Sequence, residues 1–250
     1  MAVRRQRLDL LLVERGLAES RARAQAMILA GEVVVDDHRV DKPGTRVALE
    51  ATLRLRGNRT RFASRAGDKL DAALDQFAID VADALALDAG ASTGGFVDVL
   101  LRRGARRVYA VDVGYGQLTL TLRDDPRVVV LDRVNVRHLS AEQVPERVGL
   151  VTLDLSFISL TKVLEPLARF AAPGATWVCL VKPQFEVGRE RVGKGGIVRD
   201  AAARRDAVEQ VRCCAEGLGL EALDDMESPL PGQKGNIEHL LVLRTPDDAK

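Results

Sequence analysis

Apolar and polar positions follow two different patterns along the chain, and the longer one begins at residue 84. From there onward, short runs rich in Val and Leu alternate with stretches of helical spacing. The runs cover residues 84–89, 107–112, 127–132, 150–155, 176–181 and 239–244. Continuous apolar runs of this length are typical of strands that are buried on both faces of a mostly parallel sheet. The pattern therefore predicts an α/β fold, a doubly wound sheet with helices on both faces.

The first 60 residues have shorter apolar stretches and more turns. Leucines with helical spacing open this part, and Ser20 stands where an N-cap would begin a second helix that ends at Gly31. Residues 32–35 and Val40 are expected to pair as strands across a turn at residues 36–39. We expect a small α+β domain at residues 1–60, a basic linker at 61–66 and a larger domain at 67–250.

Composition adds a charge asymmetry to this organisation. Hydrophobic residues make up 46% of the chain and charged residues 29%, a globular balance, and the net charge is +1. Residues 1–70 carry 15 Lys or Arg against 9 Asp or Glu, a net +6, so the remaining residues sum to −5. Phosphate binding requires such local positive charge, although a solvated basic face would give the same count. The candidate RNA contacts are Arg4, Arg5, Arg7, Arg21, Arg23, Arg61 and Arg65.

Several other classes of protein are disfavoured. The three cysteines, Cys179, Cys213 and Cys214, lack paired spacing, and the three histidines lie far apart, so we expect neither a disulfide framework nor a metal site. No apolar run approaches the roughly 18 residues of a membrane-spanning helix, and the start of the chain lacks an apolar signal core. These features predict a cytoplasmic protein without a membrane segment.

A glycine-rich turn follows the first predicted strand. The sequence Asp88-Ala-Gly-Ala-Ser-Thr-Gly-Gly-Phe96 leads into a helix predicted at residues 95–103. It contains neither the G-x-G-x-x-G fingerprint nor a P-loop, which disfavours dinucleotides and nucleotide phosphates. An acidic residue before such a turn is similar instead to the first motif of S-adenosylmethionine-dependent methyltransferases. Asp112 ends the second strand, where a carboxylate can accept hydrogen bonds from ribose hydroxyls. The candidate cofactor-binding residues are Asp88, Gly90, Ser92, Thr93, Gly94, Gly95, Phe96, Asp112, Asp132 and Asn135.

Charged residues also mark the ends of the later strands. Asp154 lies at the end of the fourth run, and Lys182 directly follows the fifth. Glu238 precedes the last run, whose beginning lies at the same sheet edge if that strand is antiparallel, as in methyltransferases. Lys69 lies in a helix predicted to open at Gly67. The candidate catalytic residues are Lys69, Asp154, Lys182 and Glu238, and an ion-pair network that braces the sheet edge is the structural alternative.

These motifs resemble known families. The phrases Ser20-Arg-Ala-Arg-Ala-Gln25 and Ala30-Gly-Glu-Val-Val-Val-Asp36 resemble the S4 RNA-binding domain over roughly residues 5–50. The Lys-Asp-Lys-Glu quartet resembles the tetrad of RNA 2'-O-methyltransferases of the FtsJ type. The whole chain resembles the TlyA family, called haemolysins and understood as ribosomal RNA 2'-O-methyltransferases. Further phrases carry this resemblance: Ser64-Arg-Ala-Gly-Asp-Lys-Leu70, Asp112-Val-Gly-Tyr-Gly-Gln117, Asp154-Leu-Ser-Phe-Ile-Ser159, Val181-Lys-Pro-Gln-Phe-Glu186 and Gly193-Lys-Gly-Gly-Ile-Val198.

The resemblance implies a seven-stranded, Rossmann-like methyltransferase sheet and S-adenosyl-L-methionine as the cofactor. It also implies that the substrate is a cytidine ribose of ribosomal RNA, naked or in an assembled subunit, with the large subunit favoured. Lys182 would be the base that takes the hydroxyl proton, Lys69 would stabilise the developing alkoxide, and Asp154 and Glu238 would orient the lysines. Two alternatives stay open: an RNA-binding protein with a non-catalytic methyltransferase fold, and a pore-forming toxin, which the family's name suggests.

Overall fold

The computed structural model describes residues 4–29, 31–36, 38–55, 61–232 and 234–247. Its contacts divide the chain into two units, Met1–Arg59 and Thr60–Lys250. The helix that opens the second unit begins at Arg65, two residues before the predicted start, because Ser64 caps it and accepts a hydrogen bond from the N–H of Ala66. The last two residues of the predicted linker are therefore helical.

The first unit is an α+β domain with two small antiparallel sheets. Its elements are β1 (Arg5–Arg7), α1 (Leu8–Glu14), α2 (Arg21–Leu29), β2 (Val33–Val35), β3 (His38–Arg39), β4 (Arg46–Ala48) and β5 (Leu53–Leu55). Strand β1 pairs with β4, and β2 lies between β3 and β5. The leucines of α1 that have helical spacing are buried together with Ile28 of α2 and Val33 of β2. Periodicity therefore predicts this small core.

The hairpin of the first unit turns earlier than predicted. Strand β3 begins at His38, inside the predicted turn, and ends before Val40. Asp36 adopts a φ of 47°, a left-handed conformation that reverses the chain directly after β2. Asp37 of the predicted turn lies outside the described residues. The sequence does not predict β1 or β4, since three residues are too few to show an alternating pattern.

The second unit contains a seven-stranded sheet with helices on both faces. Its first elements are α3 (Arg65–Gln76), β6 (Leu85–Ala89), α4 (Gly95–Arg102), β7 (Arg107–Asp112), α5 (Leu120–Arg123), β8 (Val128–Asp132) and β9 (Val148–Leu153). The remaining elements are α6 (Leu164–Ala168), β10 (Ala171–Val181), α7 (Pro183–Glu186), α8 (Ala201–Gly217), β11 (Glu221–Glu227) and β12 (His239–Arg244).

The strand order is β11-β12-β10-β9-β6-β7-β8. The five strands from β10 to β8 in this order are parallel, whereas β12 runs antiparallel to both β10 and β11. This arrangement confirms the predicted mostly parallel, seven-stranded, doubly wound sheet. The edge strand β11 has no counterpart among the predicted runs, because its sequence Glu-Ala-Leu-Asp-Asp-Met-Glu is acidic rather than apolar.

Two apolar cores cover the two faces of this sheet. One contains Trp177 of β10, which is 0% exposed, and packs under α6 and α8. The other joins Leu70 of α3 and Leu100 of α4 to the opposite face. Strand β9 ends at Leu153, two residues before the predicted end, so that Asp154 is the first residue beyond the strand. Within the described ranges, no helix has the length and apolar character needed to cross a membrane.

Candidate active site

The glycine turn after β6 brings backbone segments into close contact. Gly90 has a φ of 93°, and a Cβ added there would lie 2.6 Å from the backbone oxygen of Asp154. A Cβ on Gly95 would overlap Ser64, the N-cap of α3. Glycine at these two positions therefore lets the turn touch the end of β9 and lets α3, which carries Lys69, pack against α4.

A cavity of about 500 Å³ opens beyond the carboxyl ends of β6, β7, β8 and β9. Among the predicted cofactor-binding residues, those that line it are Gly90, Ser92, Asp112 and Asn135. Apolar side chains, among them Val111 and Val134, complete one wall. The position agrees with the rule that ligands of parallel sheets bind beyond the strand ends.

Asp112 connects two segments of backbone next to the cavity through hydrogen bonds. Its carboxylate accepts hydrogen bonds from the backbone N–H of Ser92 at 2.8 Å and of Gly114 at 2.7 Å. One acidic side chain at the end of β7 thus fixes both the glycine turn and the loop that follows β7. Asn135, after β8, accepts from the N–H of Arg137 at 3.1 Å and so caps a short turn at the opposite wall.

The other predicted cofactor-binding residues do not line this cavity. Asp88 is 0% exposed and accepts a hydrogen bond from Thr152 Oγ1 at 2.7 Å, and burial raises its pKa to about 7. The carboxylate of Asp132 forms an ion pair with Arg123 at 2.5 Å, and this contact lowers the pKa of Asp132. Gly94, Gly95 and Phe96 are buried, whereas Thr93 is exposed and its backbone oxygen accepts a hydrogen bond from the N–H of Thr119.

The four candidate catalytic residues lie at one edge of the sheet as two ion pairs. Lys69 Nζ lies 2.5 Å from Glu238 Oε2, and their side chains are 9% and 3% exposed. Lys182 Nζ lies 2.6 Å from Asp154 Oδ1 and also donates to Ser156 Oγ at 3.0 Å. Each lysine therefore has its own carboxylate partner in a largely desolvated position, where an ion pair is screened little by water.

Strand register explains why residues so distant in sequence meet. Val181, the last residue of β10, is paired with His239, the first residue of β12. Lys182 and Glu238 therefore emerge from adjacent strands at the same edge. Strand β9 flanks β10 on its other side and places Asp154 at that edge too. The catalytic roles of these residues stay a prediction.

Two aromatic residues beside the cavity are not predicted as site residues by the sequence patterns. Phe157, which lines the cavity, is 91% exposed, and its ring centroid lies 5.3 Å from that of Phe185. Phe157 also has a φ of 66°, rare for a residue with a side chain. The sequence does contain a feature that could have indicated them: Phe157 lies three residues after Asp154, and Phe185 lies three residues after Lys182.

The predicted RNA-binding arginines differ in their surroundings. In the first unit, Asp9 is 0% exposed and accepts hydrogen bonds from Arg7, Arg21 and Gln25. Arg7 and Arg21 keep 40% and 54% of their side-chain surface exposed. The others are exposed at the surface of their own unit: Arg4, Arg5, Arg23, Arg61 and Arg65. Arg61 pairs with Asp71, so that its charge is already partly neutralised.

The fold and the site together define a class, the FtsJ-like methyltransferases, whose family model matches residues 62–245. The S4 domain model matches residues 6–53. Among the described residues, no group of three His, Cys, Asp or Glu side chains is arranged to hold a metal ion. These matches cover both units of the chain.

Relatives narrow the class to one family. The 16S/23S rRNA (cytidine-2'-O)-methyltransferase TlyA of Mycobacterium tuberculosis is 51% identical over 98% of this chain and 92% of its own length. YqxC of Bacillus subtilis, named as a candidate rRNA methyltransferase, is 44% identical over 100% of this chain and 89% of its own. A solved structure described as a hemolysin of Streptococcus thermophilus is 40% identical, with a TM-score of 0.76 over 99% of this chain and 92% of its own. This chain belongs to the TlyA family.

Proposed function

We propose that this chain transfers the methyl group of S-adenosyl-L-methionine to the 2'-hydroxyl of a cytidine in ribosomal RNA. The observation that carries the proposal is the pair of lysine–carboxylate contacts, Lys69–Glu238 and Lys182–Asp154, the second of which includes a residue that lines the cavity, Asp154. The names of the relatives and the match to the FtsJ-like methyltransferase family support the enzyme over a toxin.

The residues around the cavity fit S-adenosyl-L-methionine. Gly90 leaves room where a Cβ would fill the space next to the backbone of Asp154. Asp112 would accept the ribose hydroxyls of the cofactor, and Val134 with Asn135 would face its adenine. When bound, the cofactor supplies an already activated methyl group on a positively charged sulfur. Asp88 does not line the cavity, so it would support the glycine turn through its hydrogen bond with Thr152 and would not contact the cofactor.

The remaining chemistry belongs to the two lysines. A ribose hydroxyl is a weak nucleophile until its proton is removed, so Lys182, entering the step as the neutral amine, would take that proton at Nζ. Asp154 would orient the amine and then hold the ammonium that forms. Lys69 would stabilise the negative charge that develops on the oxygen, and Glu238 would hold Lys69 in place. The hydroxyl oxygen would receive the methyl group in place of its proton, the demethylated cofactor would leave, and the proton would stay on Lys182 Nζ.

RNA would be bound by two kinds of surface. The exposed arginines of the first unit, with Arg7 and Arg21 set side by side on Asp9, suit contacts with backbone phosphates. Phe157 offers an exposed ring beside the cavity, on which a nucleobase can stack. Sequence-independent phosphate contacts would thus hold the RNA while the site receives one nucleotide.

The direct test is transfer of labelled methyl groups to ribosomal RNA. Purified chain is incubated with S-adenosyl-L-methionine and with each ribosomal subunit, or with its naked RNA, and 2'-O-methylated nucleotides are mapped. We expect a cytidine of large-subunit RNA to be modified. The small subunit is the second arm of the experiment, because the Mycobacterium tuberculosis relative is named for both the 16S and the 23S RNA. RNA binding without transfer to any of the four substrates would favour the non-catalytic alternative.

A further inference from the structure

Two loops that follow neighbouring strands carry one of the ion pairs of the site. The loop after β9, residues 154–160, begins with Asp154, and the turn after β10, residues 182–187, begins with Lys182. Lys182 reaches across to Asp154 at 2.6 Å and to Ser156 at 3.0 Å. Any contact that fixes one loop against the other therefore also fixes the lysine relative to its carboxylate.

Glu186 joins the same two loops at their far ends. It is the last residue of α7, and it is 7% exposed. One carboxyl oxygen accepts a hydrogen bond from Ser159 Oγ at 2.5 Å, and the other accepts from the backbone N–H of Leu160 at 3.0 Å. Burial raises the pKa of Glu186 above its ordinary value, and these two donors oppose the shift. Neither Glu186 nor Ser159 lines the cavity, so the contact serves the geometry of the loops.

The segment between these two contacts adopts an unfavourable conformation. Phe157 has a φ of 66° and is 91% exposed, so burial of its own side chain does not explain its backbone. A conformation of this kind persists only where the surrounding structure imposes it. The contacts of Lys182 at one end of the loop and of Glu186 at the other end do so, with Phe185 against Phe157 between them.

We propose that Glu186 is a positioning residue for methyl transfer, and that its buried carboxyl holds the loop of residues 154–160 so that Asp154 orients Lys182 towards the hydroxyl. The inference rests on the proposed function. Glu186 contacts neither substrate and acts through the two residues of the ion pair. Its loss shifts the reacting groups, and a displacement of about 1 Å can lower a rate on the order of 100-fold.

The test compares Glu186→Ala with Glu186→Gln in the full chain. For the alanine variant we expect the single-turnover rate of methyl transfer, at saturating cofactor and RNA, to fall about 100-fold. Calorimetry should show a much smaller change in the affinity for S-adenosyl-L-methionine. Glutamine can accept from the N–H of Leu160 and donate to Ser159 Oγ, so it should restore most of the rate. A glutamine variant as slow as the alanine variant would overturn the inference.

A matched control separates positioning from general loss of stability. Trp177 Nε1, in the middle of β10, donates a hydrogen bond at 3.0 Å to Thr245 Oγ1, which follows the end of β12 away from Glu238. Thr245→Val removes this acceptor and should lower the thermal stability without changing the single-turnover rate. Equal rates in the Thr245→Val and Glu186→Ala variants would contradict the positioning role.

Two further variants keep the outcome clear if Glu186→Ala does not fold. Ser159→Ala removes one of the two hydrogen-bond donors to the Glu186 carboxyl. It should lower the single-turnover rate on the order of tenfold and disturb the fold less than Glu186→Ala does. An unchanged rate would overturn the inference. Lys182→Ala is measured in parallel. Absence of transfer by the unchanged chain would overturn the proposed function. Undiminished transfer by Lys182→Ala would remove Lys182 as the base, and this inference with it. An inactive Lys182→Ala beside a fully active Glu186→Ala would overturn this inference alone.

Discussion

Each of the two units contains a buried carboxylate that is paired with cations, but the cations differ in number and in exposure. Asp9 holds both Arg7 and Arg21, whose side chains remain 40% and 54% exposed. Glu238 holds Lys69 alone, and the lysine is 9% exposed. The first cluster keeps a net positive charge at the surface, whereas the second has none. The same kind of ion pair therefore leaves positive charge at the surface in one unit and holds a buried amine in the other.

The choice of cation follows from this difference. A guanidinium has five N–H donors in a planar fork, so that one edge can be anchored on a carboxylate while the other remains available for a phosphate. An ammonium is a compact charge that a single carboxylate can orient. Arginines therefore suit the surface of the first unit, and lysines suit the desolvated edge of the second.

The largest effect should follow from breaking the buried pair. Lys69→Met leaves Glu238 buried without its cation, and we expect a loss of about 3–5 kcal/mol in the free energy of unfolding. Methyl transfer should fall by about 100-fold or more, because a charge that stabilises the transition state is lost. The double variant Lys69→Met with Glu238→Gln should recover most of the stability and none of the rate. Denaturant unfolding and single-turnover assays measure both.

The matched control is Lys162→Met, which changes an exposed lysine of the same unit. It should leave stability and rate near those of the unchanged chain. If the double variant regained its rate together with its stability, the pair would only brace the sheet edge.

A smaller effect is expected when the arginines of the first unit lose their anchor. In Asp9→Asn, Arg7 and Arg21 must be ordered on binding, at about 0.5–1.5 kcal/mol for each side chain, so the affinity for RNA should fall about tenfold. Fluorescence anisotropy measures this affinity at fixed salt. Asp41→Asn adds the same charge at an exposed position of the first unit and should not weaken binding. Equal affinities of the two variants would mean that Asp9 does not organise the RNA surface.

The smallest effect concerns acid stability of the first unit. Arg7 holds the pKa of Asp9 below its ordinary value, with help from Gln25 and Arg21. A carboxyl with a depressed folded pKa stabilises the fold above its unfolded pKa of about 3.9, and this contribution is lost as the pH falls through the folded pKa. The wild type should therefore exceed Asp9→Asn in stability at pH 7, and the difference should shrink below about pH 4. Amide signals of Val33–Val35, followed by NMR during urea unfolding, report on this unit. A difference that is constant with pH would contradict the argument.

The sequence predicts most of the sheet because its central strands are buried on both faces and read as apolar runs. It does not predict β11, whose edge position tolerates Asp224 and Asp225, or the three-residue strands β1 and β4. Helix α3 begins before Gly67 because the capping of Ser64 is a local hydrogen bond that the apolar pattern does not report. The apolar pattern thus predicts that a strand exists, whereas the residue at which a helix or strand begins depends on contacts that the pattern does not show.

The candidate site likewise contains residues that the sequence pattern predicts and residues whose contacts only the fold determines. Charged residues at the ends of strands predict the meeting of Lys182 and Asp154, since parallel strands end at one edge. Motif resemblance alone cannot tell which members of the glycine turn face the cavity. Asp88 and Asp132 are directed to Thr152 and Arg123 by packing that only the folded chain has. Glu186 was not singled out for the same reason, since its partners lie in another loop.

The role of Lys182 as the base that removes the proton of a ribose hydroxyl is tested with the variant Lys182→Ala. Single-turnover methyl transfer to ribosomal RNA and calorimetric binding of S-adenosyl-L-methionine are measured with this variant, the unchanged chain and Lys162→Ala. General-base catalysis typically contributes about 10²–10⁴-fold, so the rate should fall by that order while cofactor binding persists. A Lys182→Ala variant that methylates RNA as fast as Lys162→Ala would mean that Lys182 is not the base.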